Sequence, residues 1–154
     1  MRSLQRTALV IGFFAISLVT AQPKADAADA ATIGSVRNVV APASVVREGR
    51  EIPAQTGLKL HAGDVLQTGD GGQLGVILRD DSLLSLGPRS RVAIERFVFA
   101  PAERQFGFVT RVYRGTAAFV SGLIGRLAPE SATVETPVAT IGIRGTRFAV
   151  RVAE

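Results

Sequence analysis

The sequence predicts a single all-β domain, a two-sheet sandwich or roll or a short β-solenoid, preceded by a signal-peptide helix. Apolar runs of strand length recur about every 8–12 residues, and glycine, proline, asparagine and aspartate separate them, which is typical of such folds. After the N-terminal segment, no window of helical length shows an apolar stripe with the helical period. Together these two observations favour strands over helices throughout the remaining chain.

The first 27 residues have the order of a secretory signal peptide. A short basic start, Met1 to Arg6, precedes the uncharged apolar run Thr7 to Val19, and small residues follow. A helix that spans a bilayer usually needs about 20 apolar residues, so we expect no permanent membrane span. We expect cleavage after Ala27 or Ala21 and a periplasmic location for residues 28–154.

Composition limits the possible functions of residues 28–154. The segment has the size of one ordinary domain, and the chain contains no cysteine, so its fold depends on its apolar core alone. The whole chain carries a net charge of +5, but the N-terminal segment accounts for part of this excess. No basic cluster lies beside aromatic residues as in a nucleic-acid-binding module, so we expect no nucleic-acid partner.

The first half of the domain contains seven predicted strands. Gly69–Gly72, Asp80–Ser82 and Gly87–Pro88 are predicted turns, because glycine supplies positive φ and aspartate bonds locally to the backbone. The predicted strands are Ile33–Val40, Val45–Val46, Leu58–Leu60, Val65–Thr68, Leu74–Arg79, Leu83–Leu86 and Arg91–Phe99.

The second half begins after a polar segment with a proline, Ala100–Gln105, which we predict to be a loop. Gly122–Ala128 is predicted to be a loop or one short helical turn. The predicted strands of this half are Phe106–Val112, Thr116–Val120, Thr133–Thr136, Ala139–Ile143 and Arg147–Val152.

The closing stretch, "ETPVATIGIRGTRFAV", alternates apolar and polar residues but changes phase twice. Pro137 cannot donate a ladder hydrogen bond and belongs at a strand start, an edge or a bulge. Gly145 suits the left-handed backbone of a bulge that restores the inward face after a slip. Arg144 and Arg147 would then flank the bulge and pair with a carboxylate such as Glu135, or donate to strand-end carbonyls. The alternative is a ligand site in which a guanidinium binds a carboxylate or phosphate.

An Arg-Gly-Thr triplet occurs twice, at residues 114–116 and 144–146. The two copies indicate either a duplicated hairpin or the same local solution to two bulges. We favour the second interpretation, because a solenoid usually repeats three or more times.

Candidate catalytic and metal-binding residues are few. His61 is the one histidine, in a loop, and its neighbour Asp64 is better explained as the cap of a glycine turn than as part of a triad. Asp70, Asp80 and Asp81 are explained by turn formation, since the calcium-binding loop pattern is missing. No phosphate-binding or dinucleotide-binding glycine motif occurs. We therefore predict no catalytic residue, no metal site, no cofactor and no enzymatic activity.

The segment "LHAGDVLQTGDGGQLGVILRDDSLLSLGPRSRVAI" resembles the core motif of the FecR domain family, and "VETPVATIGIRGTRFAV" is similar to its closing signature. The resemblance extends from about residue 33 to residue 152. The residues that match the core motif are Gly63, Asp64, Thr68, Gly69, Asp81, Ser82, Pro88 and Ser90. Those that match the closing signature are Thr136, Pro137, Arg144, Gly145, Thr146 and Phe148.

The resemblance implies an all-β periplasmic module that serves signalling. The family's named members add a cytoplasmic segment that controls a sigma factor, a membrane helix and a periplasmic receptor-contacting part. Only six residues precede the apolar run and nothing follows the Arg-Gly-Thr strand, so we do not expect direct sigma-factor control here. We expect this protein to share the exported β-module with those members.

The sequence leaves two main functional hypotheses. The first is a non-catalytic periplasmic module that presents a sheet face or edge to another envelope protein, with Arg144 and Arg147 as possible contacts. The second is a small-ligand or glycan-binding protein with Arg111, Arg114, Arg144 and Arg147 around an anionic site. A third, enzymatic, hypothesis needs a carboxylate pair that the sequence does not nominate.

Overall fold

The structure, a computed structural model, describes residues 32–153, so the predicted signal peptide and its helix lie outside the described residues. None of the helices formed by these residues has the length and hydropathy of a membrane-spanning segment. A four-residue helix, α1 (Ile124–Leu127), and two short 3-10 turns, Pro101–Glu103 and Pro129–Ser131, accompany the strands. The strands are β1 Thr32–Val40, β2 Ala43–Arg47, β3 Arg50–Pro53, β4 Lys59–His61, β5 Val65–Thr68, β6 Gln73–Leu78, β7 Leu83–Leu86, β8 Arg91–Ala100, β9 Gln105–Val120, β10 Ala132–Glu135, β11 Thr140–Gly142 and β12 Arg147–Val152.

The described strands form one curled sheet that is joined by the long strand β9. The main path of the sheet is β3-β2-β5-β8-β9-β7-β6-β1-β4. The first part of β9 pairs with β8 and, in parallel, with β10, which in turn pairs with β11. The last part of β9 pairs with β7 and with β12. One strand therefore fixes the relative position of the two halves of the sheet.

The change of partners along β9 occurs at Gly115. Two residues earlier, the register of β8 against β9 shifts and leaves Tyr113 as the extra residue of a bulge. Gly115 has φ of 84°, and a Cβ at this position would lie 2.5 Å from Cα of Ser90. Only glycine satisfies both the left-handed backbone and this close approach.

The core lies on the inner face of the curled sheet and is aliphatic with a few aromatic side chains. Phe97 of β8 and Phe108 of β9 pack edge to face, with ring centroids 6.3 Å apart. Phe119 of β9 stacks on Phe148 of β12, with centroids 5.2 Å apart. Fully buried side chains come from most strands, among them Val36, Val45, Leu60, Leu66, Leu74, Val76, Leu84, Val92, Ile94, Val112 and Val134.

The structure confirms the all-β class but does not confirm two separate sheets or a solenoid, because β9 belongs to both halves. The strands predicted on either side of residue 114 are the single strand β9. The predicted loop Ala100–Gln105 is a tight 3-10 connection between β8 and β9, and Gly122–Ala128 contains the short helix α1.

Candidate functional site

Gly63 and Asp64, the first two residues of the core motif, form the turn before β5. Gly63 has φ of 88°, and Asp64 is almost fully buried. The Asp64 carboxylate accepts the backbone N–H of His61 at 2.8 Å and two hydrogen bonds from Arg47, at 2.8 and 2.7 Å. Arg47 also donates to the carbonyl of Lys59 at 2.8 Å. The hydrogen bond that Arg47 donates to Asp64 raises the pKa of Arg47. This pair joins β2, β4 and β5, and it leaves Asp64 no proton-transfer role with His61.

Thr68 and Ser90 close the corner between β7 and β8. The Thr68 hydroxyl donates to the carbonyl of Gly87 at 2.6 Å and accepts the backbone N–H of Ser90 at 2.9 Å. In the same corner, the N–H of Gly69 donates to the carbonyl of Pro42, and the carbonyl of Gly69 accepts the N–H of Arg89. The Ser90 hydroxyl lies 3.2 Å from the carbonyl of Pro88. These hydroxyl groups are therefore engaged by the backbone.

A second buried polar cluster holds the start of α1. Asp80 is fully buried, and its carboxylate accepts the N–H of Ser82 at 3.1 Å, the Ser82 hydroxyl at 2.8 Å and the N–H of Ile124 at 3.2 Å. The Ser82 hydroxyl oxygen in turn accepts the N–H of Gly122 at 3.0 Å. Asp81 takes the left-handed turn position with φ of 64°. The sequence signal was the Asp-Asp-Ser triplet, but it does not reveal that its first aspartate is buried.

Thr136 and Pro137 form the turn of the β10–β11 hairpin. The Thr136 hydroxyl oxygen accepts the N–H of Ala139 at 2.9 Å, and the backbone N–H of Thr136 donates to the Ala139 carbonyl at 2.8 Å. Val138 at the tip is almost fully exposed. Pro137 therefore lies in a turn, where its missing N–H costs nothing.

The predicted bulge at Gly145 is wrong. Gly145 has the expected left-handed backbone, with φ of 56°, but it lies in the connection between β11 and β12 and not within a strand. The chain there leaves β10 and moves to β9, and the Thr146 carbonyl accepts the N–H of Ser121 at 3.0 Å. The apolar phase changes because the chain changes its neighbouring strand.

The predicted pairing of Glu135 with Arg144 or Arg147 is also wrong. Glu135 accepts hydrogen bonds from Arg111, including one of 3.0 Å from Nε, on the adjacent parallel strand. A second carboxylate, that of Glu95 on β8, lies 3.1 Å from Arg111. The hydrogen bond to Glu135 raises the pKa of Arg111. The positive charge of Arg111 is therefore neutralised by Glu135 and Glu95 on the same face of the sheet, and its guanidinium is not free to bind an anion.

Two open grooves lie on the protein surface beside β9. One, of about 640 Å³, is lined by Pro42, Ser44, Glu51, Gln67 and Arg114, among others. The other, of about 340 Å³, is lined by Arg111, Tyr113, Glu135, Thr136, Pro137 and Thr140. The four arginines of the anion-site hypothesis are therefore not brought together, since Arg144 and Arg147 line neither groove. Residues 32–153 also contain no group of three or more side chains suited to hold a metal ion.

Strand β12 forms one edge of the sheet, and arginines without ion pairs lie on this strand and just before it. Arg144, Arg147 and Arg151 are exposed, and none of them has an ion pair or a side-chain hydrogen bond with another described residue. On the opposite face of β12, Phe148 contacts the core through Phe119. The strand is paired on one side, by β9.

The fold and the motifs define a small all-β module in which the buried side chains of Asp64, Thr68, Asp80, Ser82 and Ser90 bind the protein's own backbone. A family model described as FecR protein matches residues 64–154, and the chain therefore belongs to the FecR family, which is a signalling and regulatory one. The match begins at Asp64, but strands β1 and β2 pair with β6 and β5 inside the matched region. Comparison with curated proteins and with solved structures finds no match.

Proposed function

We propose that the protein is an exported, non-catalytic signalling module that acts in the periplasm by binding another protein of the cell envelope. Membership of the FecR family supports a signalling role. The basic, apolar and small-residue order of residues 1–27 supports export.

The use of the buried polar groups supports a function without catalysis. The Asp64 and Asp80 carboxylates accept backbone N–H groups, and the Ser90 hydroxyl bonds to the backbone of Thr116. A catalytic nucleophile or base needs a lone pair directed to substrate, whereas these side chains hold turns and corners.

The observation that carries the proposal is the unpaired positive charge at the β12 end of the sheet. Arg144 and Arg147 are exposed, and no carboxylate among residues 32–153 pairs with them. Rim charges of this kind steer association and select partners by charge complementarity. We expect the partner surface to be acidic.

Affinity capture from envelope extracts tests the proposal. We expect the protein to retain a partner that an Arg144→Glu/Arg147→Glu variant loses. The matched control is Arg37→Glu/Arg50→Glu, which makes the same charge change at exposed residues of β1 and β3. Recovery of no partner at low ionic strength, or equal loss with both variants, would contradict this function.

Export has its own test. Expression of the full chain in a Gram-negative host followed by periplasmic extraction and N-terminal sequencing should yield a chain that begins at residue 28 or 22. A chain that keeps residue 1 and stays in the cytoplasm would contradict the periplasmic location.

The groove beside Arg114 favours a second candidate function, the binding of a small anionic ligand or glycan. Glu51 and Gln67 also line this groove, and Arg114 has no ion pair with a described residue. A ligand that binds the native state raises the unfolding temperature. A thermal-shift screen of anionic sugars supports this function if the shift disappears in Arg114→Gln, and a flat screen eliminates it.

A further inference from the structure

We propose that β12 binds its partner by strand addition, and that the added strand is an extended segment in which acidic and apolar residues alternate. The inference rests on the proposed function, because it names the surface and the partner chemistry of the interaction module. Strand addition uses main-chain hydrogen bonds for affinity and alternate side chains for specificity.

The backbone of β12 offers an unused row of hydrogen-bonding groups. The N–H of Ser121 donates to the carbonyl of Thr146, which makes this a hydrogen-bonded pair of the β9–β12 ladder. Because such pairs alternate along an antiparallel ladder, Phe148 also directs its backbone groups to β9. The N–H and carbonyl groups of Arg147, Ala149 and Arg151 therefore point away from β9.

The hydrogen bonding on the β7 side of β9 agrees with this assignment of backbone directions. The N–H of Gly87 donates to the carbonyl of Thr116 on the β7 side, so Ala117 and Phe119 direct their backbone groups to β12. No backbone hydrogen bond between residues 32–153 uses the outer edge of β12.

The side chains of β12 define the occupant on both faces. Phe148, Val150 and Val152 pack against the core but are only partly buried, so apolar residues of an added strand would complete their burial. On the opposite face, Arg147 and Arg151 are exposed and lie across from Val120 and Thr116, which carry no charge. Opposite charges on adjacent strands stabilise pairing, so the added strand needs acidic residues on this face.

The charges also argue against a second copy of the chain as the occupant. When two β12 strands pair antiparallel in the register centred on Ala149, which keeps Phe148 and Val150 on one face, Arg147 of each copy lies opposite Arg151 of the other. Like charges directly opposite each other are destabilising. An acidic partner removes this conflict.

The other edge strands in the described part of the chain suit addition less well. Strands β4 and β11 have three residues each, and β3 has four and ends in Pro53. Short edges and proline at an edge block pairing with another strand. Strand β12 has six residues, Arg147–Val152, without proline.

A synthetic peptide in which valine and glutamate alternate over the length of β12 is the probe, and fluorescence anisotropy measures its binding to the full-length protein. We expect it to bind at least about tenfold more tightly than the same peptide with lysine in place of glutamate, and the difference to shrink as salt rises. In the Arg147→Glu/Arg151→Glu variant the preference should reverse. Equal binding of both peptides, or an unchanged preference in the variant, overturns the proposal.

A proline variant tests the main-chain part of the proposal. Ala149→Pro removes an N–H that points away from β9, and proline is tolerated at such edge positions. We expect it to keep the wild-type circular dichroism spectrum and to lose binding of the glutamate peptide at least about tenfold. Arg147→Glu provides the second variant, which retains every backbone group, should Ala149→Pro fail to fold. Unchanged peptide binding in a folded Ala149→Pro variant overturns strand addition.

Capture experiments separate this proposal from the broader function. An envelope partner that binds Ala149→Pro and Arg147→Glu/Arg151→Glu as well as wild type overturns strand addition and leaves the interaction module intact. A partner that binds neither variant supports strand addition and also supports the interaction module. Dimers of the wild-type protein in light scattering that disappear with Ala149→Pro would identify a second copy as the occupant and would overturn the acidic partner.

Discussion

The hydroxyl oxygen of Ser90 accepts a hydrogen bond from the backbone N–H of Thr116, with 2.9 Å between the oxygen and the nitrogen. The same hydroxyl lies 3.1 Å from the Thr116 carbonyl. This contact crosses from the β7–β8 corner to the residue of β9 that follows Gly115. A single buried side chain thus replaces the ladder hydrogen bonds that the bulge interrupts, and it fixes the point at which β9 changes partners.

We expect Gly115→Ala to destabilise the protein much more than Gly145→Ala. Both glycines have positive φ, which costs a non-glycine residue about 1–2 kcal/mol. At Gly115 the new Cβ also meets Ser90, whereas at Gly145 it meets no atom within 4 Å. Urea unfolding should give a loss of about 3 kcal/mol or more for Gly115→Ala and about 1 kcal/mol for Gly145→Ala. Similar losses would contradict the corner contact.

Asp80→Ala should be one of the most destabilising single substitutions in the chain. It removes the acceptor for the N–H groups of Ser82 and Ile124 in a fully buried place. Unsatisfied buried donors cost about 1–3 kcal/mol each, so we expect a loss of about 3 kcal/mol in urea unfolding. Asp70→Ala is the control, because Asp70 is exposed and lies 3.7 Å from Arg89. A loss of unfolding free energy below about 1 kcal/mol for Asp80→Ala would contradict the assignment of Asp80 as the buried acceptor for these N–H groups.

Arg47→Met should cost about 3 kcal/mol, since it leaves the buried Asp64 carboxylate without its cation. The pKa of Arg47 is raised in the folded state by its hydrogen bond to Asp64. The resulting stabilisation is complete below the unfolded-state pKa and is lost only as the pH rises through the folded-state pKa. The difference in unfolding free energy between wild type and Arg47→Met should therefore stay constant between about pH 7 and pH 10. A difference that falls within this range would contradict the assignment.

The sequence predicts the local structure of this protein well, because turns depend on neighbouring residues. The assignment of Asp64 as the cap of the Gly63 turn follows from two adjacent residues, and in the structure the Asp64 carboxylate accepts the backbone N–H of His61. Its partner Arg47 lies 17 positions away in sequence. That pairing depends on how β2 and β5 are aligned, which the sequence pattern of either strand does not determine.

The closing segment shows why its predicted local structure was only partly right. The backbone of Gly145 was predicted correctly, because the apolar phase changes at this residue. Its place in the sheet was not, because the phase change reflects a move from β10 to β9. Glu135 was assigned to the wrong arginines for a related reason. The parallel pairing of β10 with β9 brings it to Arg111, and parallel neighbours leave no local sequence signal.

Phe119 and Phe148 should show a measurable coupling, since their rings stack at an angle of 15° and join β12 to the core. Phe119 is buried, so Phe119→Ala should cost about 4 kcal/mol. Phe148 is only partly buried, so Phe148→Ala should cost about 2 kcal/mol. The loss of unfolding free energy in the double variant should be smaller than the sum of the two single losses by about 1 kcal/mol, because the stacking energy is removed only once. Phe119→Ala with Val150→Ala is the control cycle. Additive losses in the first cycle would mean that β12 is held by its ladder alone, without this aromatic contact.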